Sequence, residues 1–299
     1  MFDILIVGTI SNVEKTLKKD LLRVINSFSR FKNIGIYLVE SDSTDKTIEI
    51  LSELSKFVPN LDYVTMGALK PIIRNRIERI RYCRNFYVRY IREIPKEFLP
   101  NYVVVADLDG MNSALNKKAV DSCFKNDNWE VITANQTFGY YDIYALRHPT
   151  WQKGDCFEEL KIIKKDLDIN PRFKFKLLDQ IRLQYLFDKA RKQAIFGKMI
   201  RIKSGKPFIQ VESAFGGLAI YKTDNFLNFN YDTDQAQIEE SEHVALHKKI
   251  INMGGYIYIN PNLVNSRINT HNVNRIFIIR QLRQIIQKRN HFRNSKMKS

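Results

Sequence analysis

Asp107 and Asp109 stand one residue apart, directly after the apolar run Tyr102-Val-Val-Val-Ala106 and directly before Gly110. Three successive valines read as a buried strand. In open α/β sheets, ligands sit outside the carboxyl ends of the strands. The pair therefore places hard oxygen donors where a ligand would dock. Such carboxylates suit Mg2+ or Mn2+, cations that also hold phosphate. Gly110 frees the backbone to turn. Asp and Gly at a strand end also form an ordinary polar turn, and only the surrounding sequence separates these readings.

Other residues of chemical interest fall at the ends of apolar runs. Thr9 closes the first run. Glu40 and Asp42 follow Ile34–Val39, within Glu40-Ser-Asp-Ser-Thr-Asp45, a stretch that also offers helix caps. Arg76, Arg79, Arg81 and Arg84 punctuate a long basic segment that reads equally as a solvated face. Gly216 and Gly217 separate two apolar runs, the mark of close backbone approach or of a bulge. Glu242 opens a helical pattern, where a carboxylate is also favoured by the helix dipole. His243 and His247 have a spacing that can bind zinc. No third ligand of matching spacing follows, and they read as structural.

The elements that must carry these residues alternate. Residues 3–8 form a first strand, and Val13, Leu17, Leu21, Ile25 and Phe28 recur at helical spacing. Residues 34–39 form a second strand, Ile48, Leu51 and Leu54 a second helix, and 63–65 a third strand. Arg74–Arg92 is a long basic helix ended by Pro95, followed by the strand before Asp107, a helix over 116–125 and a strand at 130–134. This order predicts an α/β fold, a mostly parallel twisted sheet with flanking helices. Farther on, Tyr140–Arg147 reads as a strand or strand edge and 156–200 as charged helix broken at Asn170-Pro171. Strands flank Gly216-Gly217, and the last strand spans 256–261. A single domain, residues 1–271, is followed by a basic amphipathic helix and tail, 272–299.

The chain of 299 residues is 44% hydrophobic, enough for a substantial core. No apolar run approaches the ~18 residues of a membrane span, and the first residues read as a strand, not a signal peptide. Cys83, Cys123 and Cys156 are too scattered for a metal site and read as reduced thiols of a cytoplasmic protein. Lys and Arg exceed Asp and Glu by 48 to 32, a net +16, which favours polyanions. No acidic residue occurs from Arg267 to Ser299. The tail therefore reads either as a surface helix on an anionic membrane, over 272–293, or as a helix packed on the domain.

Six stretches, in order, resemble a nucleotide-sugar glycosyltransferase of the GT-A fold. They are Glu40–Thr47, Arg76–Arg79 with Arg84-Asn85, Asp107-Leu-Asp109, Tyr141–Arg147, Ser213–Ile220 and Glu242-His243. More narrowly, they resemble the capsule-associated mannosyltransferase family first described in fungi. The resemblance covers roughly residues 3–262 and leaves out the helical 156–200 segment and the tail. It implies a nucleoside-diphosphate sugar as donor and a cell-surface glycan or glycolipid of capsule or lipopolysaccharide type as acceptor. Asp107 and Asp109 would hold Mn2+ or Mg2+, with His271 as a third ligand. Thr9, Glu40 and Asp42 would line the nucleoside, Arg76 and Arg84 the phosphates, and Gly216 and Gly217 a sugar. Glu242 would act as base in an inverting reaction, or bind the acceptor in a retaining one. The expected location is the cytoplasmic face of a membrane.

Two rival readings remain. A nucleotidyltransferase shares the sheet order and acidic pair but uses a glycine-rich phosphate loop, whereas Val7-Gly8-Thr9 holds one glycine. A nucleic-acid-binding protein would account for the charge alone, but nucleic acid is not the expected partner.

Overall fold

The computed structural model describes residues 2–167, 177–233, 240–269 and 271. The first half alternates as expected: β1 (Ile4–Ile10), α1 (Leu17–Ser27), β2 (Ile34–Glu40), α2 (Thr47–Phe57), β3 (Leu61–Thr65), α3 (Arg76–Glu93), β4 (Tyr102–Ala106), α4 (Lys117–Asp121) and β5 (Val131–Gln136). Then come α5 (Cys156–Asp166), α6 (Leu177–Ala194), β6 (Ile209–Val211), β7 (Leu218–Lys222), α7 (Asp224–Asn228), α8 (Glu242–Asn252) and β8 (Ile257–Ser266).

The strands form one eight-stranded sheet in the order β3-β2-β1-β4-β7-β5-β8-β6. β7 pairs antiparallel with both β4 and β5, and β6 antiparallel with β8; the other pairings are parallel. Six strands thus point one way and two the other. The central strands β1, β4 and β7 are mostly apolar because both faces are covered. Ile4 and Ile6 pack with Leu17, Leu21 and Val24 of α1, while Leu5 and Val7 pack with Tyr87, Val88 and Ile91 of α3. In β4, Val104 and Ala106 join the first core, Val103 and Val105 the second.

This topology brings the carboxyl ends of β1, β2 and β4 to one edge. Because β7 runs backwards, the glycine pair before it reaches the same edge, and the Asp107 amide donates to the Gly217 carbonyl (2.9 Å).

Three expectations need correction or completion. Residues 140–147 form turns, not a strand, with one isolated bridge from Arg147 to Ser213. Side chains satisfy the backbone there in place of a ladder: Asp142 accepts from the Ala145 and Gly216 amides, and Arg147 donates to the Tyr144 and Leu146 carbonyls. The last strand runs past Pro261 to Ser266, accommodated by a register shift against β5 between Thr133 and Asn135. The long basic helix starts at Arg76 because the Asn75 side chain caps the Ile77 and Glu78 amides. The expected break at Asn170-Pro171 and the expected helix over 272–288 lie outside the described residues.

Candidate active site

A cavity of about 1060 Å3 opens at the carboxyl edge of the sheet. Its wall includes Thr9, Asp42, Arg76, Arg84, Asp107, Asp109, Glu242 and His271, side chains contributed by β1, the loop after β2, α3, the loop after β4, α8 and the segment after β8. The fold therefore gathers eight of the eleven residues singled out by sequence. Three lie behind the wall. Glu40 is fully buried; one oxygen accepts from the Ser43 amide (2.9 Å) and the other has no partner among the described residues. Gly216 and Gly217 both have positive φ, +70° and +81°. A Cβ at Gly216 would meet the Ala134 carbonyl oxygen at 2.8 Å, and one at Gly217 the Tyr141 hydroxyl at 3.0 Å. Their close approach is to β5 and to Tyr141.

The loop carrying the acidic pair is braced on several sides. Gly110 adopts φ +99°, and its amide donates to buried Asp20 (2.7 Å). The Thr16 hydroxyl donates to the Leu108 carbonyl (2.9 Å), and the Asn112 amide group to the Asp107 carbonyl (2.5 Å). These contacts hold the two residues at the end of β4 through backbone groups of the loop.

Arg84 links the acidic loop to α8. Its Nε donates to Glu242 Oε1 (2.9 Å), one Nη lies 3.5 Å from Asp107 Oδ1, and the other donates to the Tyr87 hydroxyl (3.3 Å). The guanidinium lies over the rings of Phe215 and Tyr231, 5.2 and 5.6 Å from their centroids. Tyr87 donates in turn to Tyr231 (2.7 Å). Asp42 also anchors a neighbour: at φ +60° it accepts from the Lys70 amide (2.8 Å) and lies 3.4 Å from Arg79 Nε.

His243 and His247 lie inside the fold. His247 bonds the Ser213 hydroxyl through Nδ1 and the Tyr221 hydroxyl through Nε2, both at 2.9 Å, and burial pushes its pKa down to about 3. His243 stacks on Phe215 at 3.8 Å. The geometry agrees with a structural reading of His247; His243 lines the cavity, with Nε2 3.6 Å from Glu242 Oε1.

Asp142 lies in the motif stretch Tyr141–Arg147, but the sequence gives it no role of its own. It lines the cavity beside Tyr141, on whose ring His271 stacks at 5.0 Å between centroids. Four carboxylates, Asp107, Asp109, Asp142 and Glu242, thus converge on one wall. Desolvation pushes Asp107 up to about 8, with Arg84 pulling it down and Asp109, Asp142 and Glu242 adding to the rise. That excess of negative charge, carried on hard oxygen donors, fits a divalent cation of the Mg2+ or Mn2+ type. Asp107 and Asp109 are the residues that would hold it. As the side chains stand, no three His, Cys, Asp or Glu among the described residues are gathered as a ready metal cluster. His271 is exposed beside this wall.

No protein-family model matches the chain, and no curated protein matches it in sequence. Among solved structures, it is similar to mannosyltransferase PcManGT from Pyrobaculum calidifontis in complex with GDP-Man and Mn2+, at 13% identity and a TM-score of 0.47, over 89% of this chain and 56% of that one. It is similar to S. aureus TarS 1-349 in complex with UDP-GlcNAc at 11% identity and a TM-score of 0.41, over 91% and 60%. A third similarity is to glucosyl-3-phosphoglycerate synthase from Mycobacterium tuberculosis in complex with UDP, at 14% identity and a TM-score of 0.37, over 89% and 69%. The chain spans less than two thirds of the length of the first two.

Proposed function

We propose that the chain is a metal-dependent glycosyltransferase that moves a hexose from a nucleoside-diphosphate sugar to a hydroxyl of a cell-surface glycan. The observation that carries this reading is the convergence of Asp107 and Asp109 with Glu242 in one cavity, bridged by Arg84. A bound Mg2+ or Mn2+ would supply Lewis-acid neutralisation of the leaving diphosphate. In the transfer, the bond between the anomeric carbon and the diphosphate oxygen breaks and its electron pair leaves with the nucleoside diphosphate. The acceptor oxygen forms the new glycosidic bond. Its proton passes to Glu242, the carboxylate proposed as general base in an inverting reaction. Arg84, fixed on Glu242 Oε1, orients that carboxylate. Arg76, exposed at the start of α3, is proposed to meet the diphosphate with a charge-assisted bond. Thr9 and Asp42 line the part of the wall proposed for the nucleoside, and His271 is proposed as a further metal ligand.

The experiment is a thermal-shift panel of GDP, UDP, GDP-mannose and UDP-GlcNAc, with and without Mn2+, followed by a transfer assay with the donor that binds. A ligand at a hundredfold its Kd stabilises by about 2.7 kcal/mol. A metal-dependent shift with one nucleotide supports the reading and names the donor's base. A folded protein that responds to none of them refutes it.

The basic segment 272–293 is proposed to attach the protein to anionic membrane surface. The full chain is expected to sediment with phosphatidylserine vesicles, less so as salt rises, and not with phosphatidylcholine vesicles.

A further inference from the structure

One end of the cavity differs from the rest. Tyr144, Cys156, Phe157, Ile195, Phe196 and Met199 form its wall there, and none of them carries a charge. Cys156 and Met199 are 0% and 4% exposed, and Tyr144 meets Phe157 edge to face at 4.9 Å, so this wall is packed and not a chance gap. The residues come from the turns after β5, from the start of α5 and from the turn after α6. All but Tyr144 belong to the part of the chain, 156–200, that the motifs do not reach. The wall is continuous with the carboxylates: Asp142 and Glu242 line the same cavity. The volume, about 1060 Å3, lies just above the roughly 300–1,000 Å3 of an ordinary ligand pocket.

We infer that this end of the cavity is an acceptor subsite for an amphiphile: a hydroxyl-bearing sugar head on an alkyl or aryl tail, with the tail against Tyr144, Phe157, Phe196 and Met199. The inference rests on the transferase reading for the word acceptor but not for the binding itself. A sugar ring seated there would leave hydroxyls facing apolar side chains, which costs free energy for every unpaired group. An alkyl or aryl group seated there loses contact with water and gains packing. The sugar head is left beside Asp142 and Glu242, where carboxylates can accept its hydroxyl protons in hydrogen bonds.

The test uses the full chain with octyl β-glucoside, kept below its micelle concentration, against methyl β-glucoside. Binding is read by calorimetry and by saturation transfer to the alkyl protons. Octyl β-glucoside is expected to bind at least about tenfold more tightly. Phe157→Glu, at a partly exposed position where folding is not at stake, and Met199→Ser, inside the wall, are each expected to remove most of that preference. Both variants are expected to keep the thermal shift given by nucleotide and Mn2+. Equal binding of the two glucosides, or a preference untouched by Phe157→Glu, overturns the inference. If the alkyl preference is present but no sugar transfer occurs to any acceptor, the apolar subsite stands and the transferase reading falls. If transfer runs equally well on methyl and octyl acceptors, the reverse holds.

Discussion

Arg84 is a buried cation between two carboxylates, its side chain 5% exposed and that of Glu242 8%. Removing one partner of such a pair leaves a charge without compensation, at a cost of about 3–5 kcal/mol. Arg84→Met is expected to lower stability by that order in urea unfolding, and the double variant with Glu242→Gln to recover part of it. In the transfer assay, Glu242→Gln is expected to lower kcat by about 10²–10⁴-fold with nucleotide binding retained; an unchanged kcat would remove it from the chemistry. Asp109→Ala is expected to abolish stimulation by Mn2+, checked by titrating the metal into variant and parent. At this scale the sequence was legible where a residue type and a strand end coincide, as at Asp107 and Asp109. Arg84 was legible as a site residue, but its burial and its bond to Glu242 were not, because they depend on α8, far along the chain. Asp142 was hidden for a related reason: its backbone partners are the Ala145 and Gly216 amides, and no periodicity reports that.

The elements of the first half could be read because each is an apolar run of the right length, separated by capping residues. Helix α3 shows how a cap sets a boundary: Asn75→Ala is expected to cost about 1 kcal/mol, measurable by denaturation, because two amides lose their acceptor. The glycine pair before β7 sets another. At φ +81°, with Tyr141 and Met111 atoms close by, Gly217→Ala strains the turn that braces the Asp107 amide. Its expected effect is a loss of about 1–3 kcal/mol together with a weaker response to Mn2+. A loss of stability with an unaltered metal response would show that the turn and the acidic loop are independent. The second half resisted reading where side chains, not ladders, satisfy the backbone, as in 140–147. It also resisted where a strand passes through a proline, because β8 absorbs Pro261 in an irregular register that no local propensity announces.

Across the molecule, the alternation of strand and helix announced the sheet, but not its one internal reversal, since β7 and β4 are far apart in sequence. The buried histidines give the whole fold an acid sensitivity. The pKa of His247 falls from an ordinary 6.5 to about 3 on burial. Below pH 6.5 the unfolded chain therefore takes up a proton that the folded protein refuses, and the stability attributable to His247 falls as pH drops. Raised carboxylate pKa values such as that of Asp107 act in the opposite sense, so the test is a difference. Unfolding of the parent minus that of His247→Gln is expected to shrink by about 1 kcal/mol between pH 6.5 and pH 5.5. The reversed strand has a consequence for synthesis as well. Chains emerge amino end first, and β1 to β4 can assemble as soon as residue 106 is out. Val104 then waits for Ile220, and the Asp107 amide waits for Gly217. During that interval the growing polypeptide presents an open apolar strand edge built on three successive valines, the kind of edge that recruits strands from other molecules. Released fragments that stop short of residue 217 should therefore clump through this edge, and the backward strand doubles as the nascent chain's seal.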